Sequence, residues 1–129
     1  MRAIGLMSGT SMDGIDVALI ETDGETVTRF GPSALHFYHE DEVALLRRAM
    51  EAAPEIRDRA ERVGVIAQAE KLVTELHASA VNTFMVVNEI ERSTIDVIPS
   101  RVHVWHLATG RCGGAALHDL VFSHFNLRR

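Results

Sequence analysis

The sequence predicts an α/β fold in which three strands are followed by two helices and a fourth strand. Short apolar runs separated by turn residues indicate the strands, and apolar residues spaced three and four apart indicate the helices. A short apolar run at residues 95–98 follows the second helix and predicts the last strand. The order is therefore βββααβ, and we expect the last strand to lie parallel to the first.

The first two strands flank a polar turn. Residues 2–8 and 15–21 are mostly apolar, and the segment between them contains Gly9 and Gly14. Glycine reaches positive φ at no steric cost and lets a ligand approach the backbone closely. The pattern predicts an antiparallel hairpin.

The third strand follows a second turn. Residues 22–25 contain an Asp-Gly pair, which is a strong hairpin signal. Residues 26–30 alternate weakly, and residues 34–38 extend the strand past a Gly-Pro pair. Three consecutive antiparallel strands are therefore expected before the first helix.

Two helices are expected next, at residues 41–53 and 57–89. The first has acidic residues at its start, where the helix dipole favours negative charge, and Pro54 at its end. The second carries one apolar stripe, and Gly64 is expected to break or bend its first turns. The stripe consists of Ile66, Ala69, Val73, Leu76, Ala80 and Phe84.

Composition indicates one globular domain in a reducing compartment. The chain has 129 residues, a net charge of −5 and one cysteine, Cys112, so it has no internal disulfide. The acidic balance does not favour a nucleic-acid partner, and no apolar run reaches the roughly 18 residues of a membrane span. We expect a cytoplasmic protein.

Charge divides the chain near residue 98. Residues 1–97 contain 17 acidic and 9 basic residues, whereas residues 98–129 contain one acidic residue and four arginines. The second part also holds the only tryptophan and four of the seven histidines. We therefore treat residues 1–98 and 99–129 as separate segments.

The first turn carries the residues best suited to chemistry. Backbone N–H groups and the hydroxyls of Thr10 and Ser11 suit phosphate oxygens, and the carboxylates of Asp13 and Asp16 suit a hydrated Mg²⁺ ion. Two carboxylates repel a phosphate unless a cation lies between them. On the residues alone a plain hairpin is the main alternative, with Asp16 facing solvent.

This turn resembles the start of the anhydro-N-acetylmuramic acid kinases. The resemblance is carried by Gly9-Thr10-Ser11-Met12-Asp13-Gly14-Ile15-Asp16 and its apolar flanks. It implies part of a ribonuclease H-like domain, as in actin, sugar kinases and Hsp70, with residues 9–16 binding the phosphates of ATP and Asp13 holding Mg²⁺ through water. The implied reaction phosphorylates O6 of 1,6-anhydro-N-acetylmuramic acid while water opens the anhydro bridge, yielding N-acetylmuramic acid 6-phosphate for cell-wall sugar recycling.

The resemblance ends at residue 98. There the family continues with a Gly-x-His-Gly-Gln-Thr segment, which residues 99–106 do not match. We therefore expect residues 99–129 to be a frameshifted or poorly ordered tail. The family's catalytic base, an Asp, belongs to a later part of those enzymes, so no catalytic residue is assigned and the chain alone is expected to be inactive.

Two non-catalytic alternatives stay open. The chain is then a phosphate- or nucleotide-binding remnant, or a fragment that forms a homodimer or aggregates through exposed apolar surface. In the tail, His103, His106, Cys112 and His118 have zinc-ligand side chains, but their spacing matches no familiar structural zinc pattern.

Overall fold

The computed structural model of the chain describes residues 1–9, 11–55, 64–98 and 100–102. These residues form one four-stranded sheet with the longer helix packed on it and the shorter helix packed on the longer one, and the strand order is β3-β2-β1-β4. The elements are β1 (Arg2–Ser8), β2 (Gly14–Thr22), β3 (Val27–Phe37), α1 (Glu40–Ala52), α2 (Gly64–Val87) and β4 (Ser100–Val102). The predicted α/β class is confirmed for this part of the chain, in which three strands are followed by two helices and a short fourth strand.

The antiparallel part of the sheet agrees closely with the prediction. Strand β1 has the predicted bounds, and it pairs with β2 from Arg2↔Glu21 to Ser8↔Ile15. Strand β3 is continuous across the Gly-Pro pair, because register shifts in its pairing with β2 absorb the irregularity. The turn before β3 is held by Asp23, whose carboxylate accepts hydrogen bonds from the backbone N–H groups of Glu25 and Thr26.

The fourth strand runs parallel to β1 as predicted, but its continuous ladder begins later than predicted. Within residues 95–98, Val97 forms an isolated parallel bridge to Ala3, the Asp96 N–H donates a hydrogen bond to the Arg2 carbonyl, and the Ile4 N–H donates to the Val97 carbonyl. The strand begins at Ser100 and runs parallel to β1. The side chains of Ile95 and Ile98 are buried in the core cluster beside this edge of β1.

The core lies between one face of the sheet and α2. Alternate residues of β1 and β2 point to this face and are buried against the second half of α2, as the strand period of two requires. The cluster comprises Ile4, Leu6, Ile15, Val17, Leu19, Ala80, Val81, Phe84, Met85, Ile95 and Ile98.

A second cluster joins the helices beside the turn between β1 and β2. It consists of Leu46, Ala49, Ala53, Ile66, Ala69 and Val73, which come from α1, from the short helical turn that follows it, and from the first half of α2. Helix α2 begins at Gly64, whose φ of +57° lies in the left-handed region. The earlier start predicted for α2 falls on residues 56–63, outside the described residues.

The other face of the sheet remains open within the described residues. Phe30 and Phe37 of β3 are 79% and 68% exposed, and Val86 and Val87 at the end of α2 are also exposed. Neither α1 nor α2 combines the length and apolar character that a transmembrane helix requires. The predictions for the tail histidines and Cys112 fall outside the described residues.

Candidate functional site

The candidate site is the turn between β1 and β2, at one end of the two central strands. The pair Ser8↔Ile15 closes the hairpin, and the Met12 N–H donates a hydrogen bond to the Gly9 carbonyl at 3.3 Å. Thr10, a predicted phosphate ligand, lies outside the described residues. The turn therefore places Gly9 and residues 11–13 beyond the last strand pair.

Among the described residues of this turn, positive φ falls on Met12, at +53°, and not on a glycine. The expectation that Gly9 and Gly14 supply it was wrong, because both have φ outside the left-handed region. Met12 is held by packing instead: its half-buried side chain contacts the cluster between α1 and α2. The turn is thus anchored at its centre by an apolar side chain.

Ser11 and Asp13 flank Met12, and both are exposed. The Ser11 hydroxyl donates a hydrogen bond to Asp13 Oδ1 at 2.7 Å. This bond, together with the backbone N–H groups of Asp13 and Gly14, holds the pKa of the Asp13 carboxyl below its usual value. Asp13 is therefore ionised at neutral pH and available to a cation.

The chemistry of Ser11 and Asp13 fits a hydrated Mg²⁺ ion. Mg²⁺ prefers oxygen ligands, keeps several of its waters, and is commonly held by one or two carboxylates together with substrate phosphates. Across the described residues, no group of three or more His, Cys, Asp or Glu side chains could hold a metal ion. One carboxylate acting through water therefore suits this site better than a closed protein cage.

Gly14 permits a close approach between strands. A Cβ atom at this position would lie 2.3 Å from the His36 carbonyl oxygen and 3.0 Å from Leu35 Cδ1. The predicted reason for a glycine here was access for a ligand, whereas the observed contact is with β3. The absence of a side chain at Gly14 lets β3 lie against the start of β2.

The last two residues of the predicted segment point to opposite faces of β2. Ile15 is fully buried in the core, so only its backbone could face a ligand. Asp16 is exposed on the open face, paired with Met7 on β1 and Leu35 on β3. The structure thus brings Ser11 and Asp13 together and places the Asp16 side chain on the sheet face away from the core.

Tyr38, which directly follows β3, contacts the turn. Its backbone N–H donates to the Asp13 carbonyl at 3.1 Å, and its ring packs against both apolar clusters. Burial raises the pKa of the Tyr38 phenol, a hydrogen bond with Ser8 opposes this, and the charges of Glu42 and Asp13 add to the rise. Asp13 and Glu42 make the surroundings of the turn acidic, which favours a cation.

Comparison with known proteins identifies the family. The model of the family described as "Anhydro-N-acetylmuramic acid kinase" matches residues 1–118, which is most of the chain. The chain belongs to the anhydro-N-acetylmuramic acid kinase family. The resemblance inferred from residues 9–16 is confirmed.

Relatives bearing the name anhydro-N-acetylmuramic acid kinase support this assignment. Those from Nitrobacter winogradskyi and Rhodopseudomonas palustris are 53% and 49% identical over 98 residues, and one from Methylobacterium nodulans is 49% identical over 108 aligned positions. Each alignment covers 76% of this chain but only 27–29% of the relative. The chain thus spans between a quarter and a third of the length of these family members.

The sequence analysis did not predict a buried polar pair, Ser8 and His77, next to the turn between β1 and β2. Ser8 and His77 are both fully buried, and Ser8 Oγ lies 3.4 Å from His77 Nε2. One signal was present: His77 lies four residues from both Val73 and Val81, on the apolar stripe of α2. A histidine on such a stripe needs a polar partner in the core, although the sequence does not name that partner.

Proposed function

We propose that the turn at residues 9–16 binds the phosphates of ATP together with Mg²⁺, as part of an anhydro-N-acetylmuramic acid kinase. The reaction transfers a phosphoryl group to O6 of 1,6-anhydro-N-acetylmuramic acid, and water opens the anhydro bridge to yield N-acetylmuramic acid 6-phosphate. The fold class proposed for this activity is the ribonuclease H-like domain, and the proposed place is cytoplasmic cell-wall sugar recycling. Family membership supports all three parts.

The observation that carries the proposal for the site is the exposed Ser11–Asp13 pair at the end of an anchored hairpin. Asp13 would hold a water of Mg²⁺, and the hydroxyls of Ser11 and Thr10 with the turn's N–H groups would face phosphate oxygens. Mg²⁺ supplies charge neutralisation between the phosphates and Asp13. The proposed role of this chain is to bind and orient the phosphates, and no catalytic base is assigned to it.

Mg²⁺-dependent nucleotide binding tests the site directly. We expect the 129-residue chain to bind Mg·ADP in a calorimetric titration, and Asp13→Asn to weaken this binding about tenfold, equivalent to roughly 1.4 kcal/mol. Asp16→Asn tests the second carboxylate of the predicted segment. Glu25→Gln is the matched control, because Glu25 is an exposed acid in the next turn, before β3. Equal binding by wild type and Asp13→Asn would contradict the role given to Asp13.

A coupled assay with ATP and the anhydro sugar separates the kinase from a binding module. Turnover by the purified chain supports catalysis and contradicts the expectation that the chain alone is inactive. Mg²⁺-dependent binding without turnover supports a non-catalytic nucleotide-binding role for these residues. Both outcomes require binding to the same turn.

Self-association is the second candidate role. The exposed side chains of Phe30 and Phe37 on the long edge strand β3, with Val86 and Val87 on α2, favour it. Sedimentation velocity across a concentration series tests this idea, with Phe37→Ser as the variant expected to shift the equilibrium toward monomer. A concentration-independent monomer would overturn the homodimer reading.

A further inference from the structure

Hydrogen bonding fixes the tautomer of His77, the fully buried histidine of α2. Its Nδ1 lies 2.7 Å from the Val73 carbonyl oxygen, one helical turn earlier. Because a carbonyl oxygen only accepts hydrogen bonds, Nδ1 carries the proton. Nε2 is then an acceptor, and the Ser8 hydroxyl donates to it over 3.4 Å.

The surroundings of His77 keep the ring neutral. Burial lowers the pKa of His77, the bond to the Val73 carbonyl opposes this, and the nearby His36 on β3 lowers it further. The Tyr38 phenol, a group with raised pKa, approaches the same Ser8 hydroxyl from the end of β3. A neutral ring is the form in which Nε2 accepts from Ser8.

Ser8 and His77 do not form a catalytic dyad. A nucleophile and its base must reach the substrate, whereas both of these side chains have 0% exposure. Any influence on chemistry must pass through the backbone of Ser8, the last residue of β1.

The network holds the turn on both sides. Ser8 directly precedes Gly9. On the far side of the turn, Tyr38, which contacts Ser8, donates its backbone N–H to the Asp13 carbonyl. We propose that His77 is a positioning residue for the turn at residues 9–13, fixing Ser8 and Tyr38 so that Ser11 and Asp13 face a phosphate-bearing ligand. The part concerning the ligand rests on the proposed function, whereas the part concerning the turn stands on the geometry alone.

Variants of the full chain test this role. His77→Leu removes both ring nitrogens, Ser8→Ala removes the donor, and His77→Gln retains an amide oxygen that can accept from Ser8. Thr74→Val is the matched control, since Thr74 is buried on the same helix and its hydroxyl donates to the Glu70 carbonyl within that helix. A purely structural role would make the Thr74 variant behave like the His77 variants.

Two measurements distinguish an effect on the conformation of the turn from an effect on ligand binding. In ligand-free protein, ¹⁵N NMR is expected to show a neutral His77 ring protonated at Nδ1, with amide shifts at Gly9 and Ser11 displaced by His77→Leu and Ser8→Ala but not by Thr74→Val. For Mg·ADP binding we expect about a tenfold loss in His77→Leu, the change that one net hydrogen bond can produce, with partial rescue in His77→Gln.

The outcomes distinguish this inference from the proposed function. If the wild type binds no Mg·ADP but the amide shifts move as expected, the positioning role survives and the nucleotide role fails. A charged ring at pH 7, or a ring protonated at Nε2, overturns the positioning role. Turn amides that respond equally to Thr74→Val and His77→Leu overturn it as well.

Discussion

Replacing Gly14 with alanine tests the close contact between β2 and β3 at the base of the turn. The new Cβ atom would lie 2.3 Å from the His36 carbonyl oxygen and 3.0 Å from the His36 carbonyl carbon. These are backbone atoms, so no side-chain rotation relieves the contact. The end of β3 must move away from β2, which disturbs the pairing Gly14↔Phe37 and the neighbouring Tyr38–Asp13 bond.

The cost of Gly14→Ala follows from overpacking. Forcing an extra carbon into a packed site costs about 1–3 kcal/mol, and we place this variant near the upper end because backbone must shift. Each kcal/mol lowers the melting temperature of a domain of this size by roughly 4–8 °C. The expected drop for Gly14→Ala is therefore about 10–20 °C.

Thermal unfolding followed by circular dichroism measures this effect, with Gly5→Ala as the control. Gly5 lies on the adjacent strand β1, and a Cβ atom there would meet no heavy atom within 4 Å. We expect Gly5→Ala to leave stability unchanged or to raise it slightly, because alanine loses less backbone entropy on folding. Equal melting temperatures for the two variants would refute the argument from close contact.

Three further outcomes are expected. Because the pKa of His77 is lowered in the folded state, the unfolded chain binds more protons below its ordinary pKa of about 6.5. The contribution of His77 to stability should therefore be full above pH 6.5 and be lost as the pH falls below 6.5. His77→Gln should flatten this slope in urea titrations, and an unchanged slope would contradict the assignment. Gly24→Ala should lower the free energy of unfolding by about 1–2 kcal/mol in the same titrations, because Gly24 has a φ of +104°. A Cβ atom there would meet no other atom, so the loss would come from the backbone conformation alone. An unchanged free energy of unfolding would show that the turn relaxes. Glu42→Ala should lower the free energy of unfolding by about 1 kcal/mol, because it removes the acceptor of the His39 N–H at the start of α1. Glu42→Gln is the milder control, and equal losses of stability in the two variants would point to the charge of Glu42 instead.

The elements that the sequence predicted well are those with local signals. Strand β1 alternates between faces and ends before a glycine, and the acidic start of α1 follows the helix dipole. The fourth strand was predicted a few residues early, because apolar residues indicate burial and do not show where a continuous ladder begins. Ile95 and Ile98 are buried as predicted, yet the ladder with β1 begins at Ser100.

The candidate site shows the same division between local and distant information. The motif at residues 9–16 indicated the family, because its hydroxyls, glycines and carboxylates are contiguous. The close contact that requires a glycine at position 14 was not predicted, because the sequence does not show that the His36 carbonyl lies beside it. The Ser8–His77 contact joins residues 69 positions apart. No spacing rule relates such a pair before the fold brings them together.

The parallel pairing of β1 with the end of the described chain has a consequence for synthesis on the ribosome. The hairpin of β1 and β2 closes over a few residues, but the Ala3↔Val97 bridge and the hydrogen bond from the Arg2 N–H to Asp96 span more than 90 residues. Closing so long a loop is entropically costly and slow compared with forming a hairpin. During translation, one edge of β1 therefore stays unpaired until the residues that follow α2 have emerged, and in that interval a chaperone or a neighbouring nascent chain can reach it.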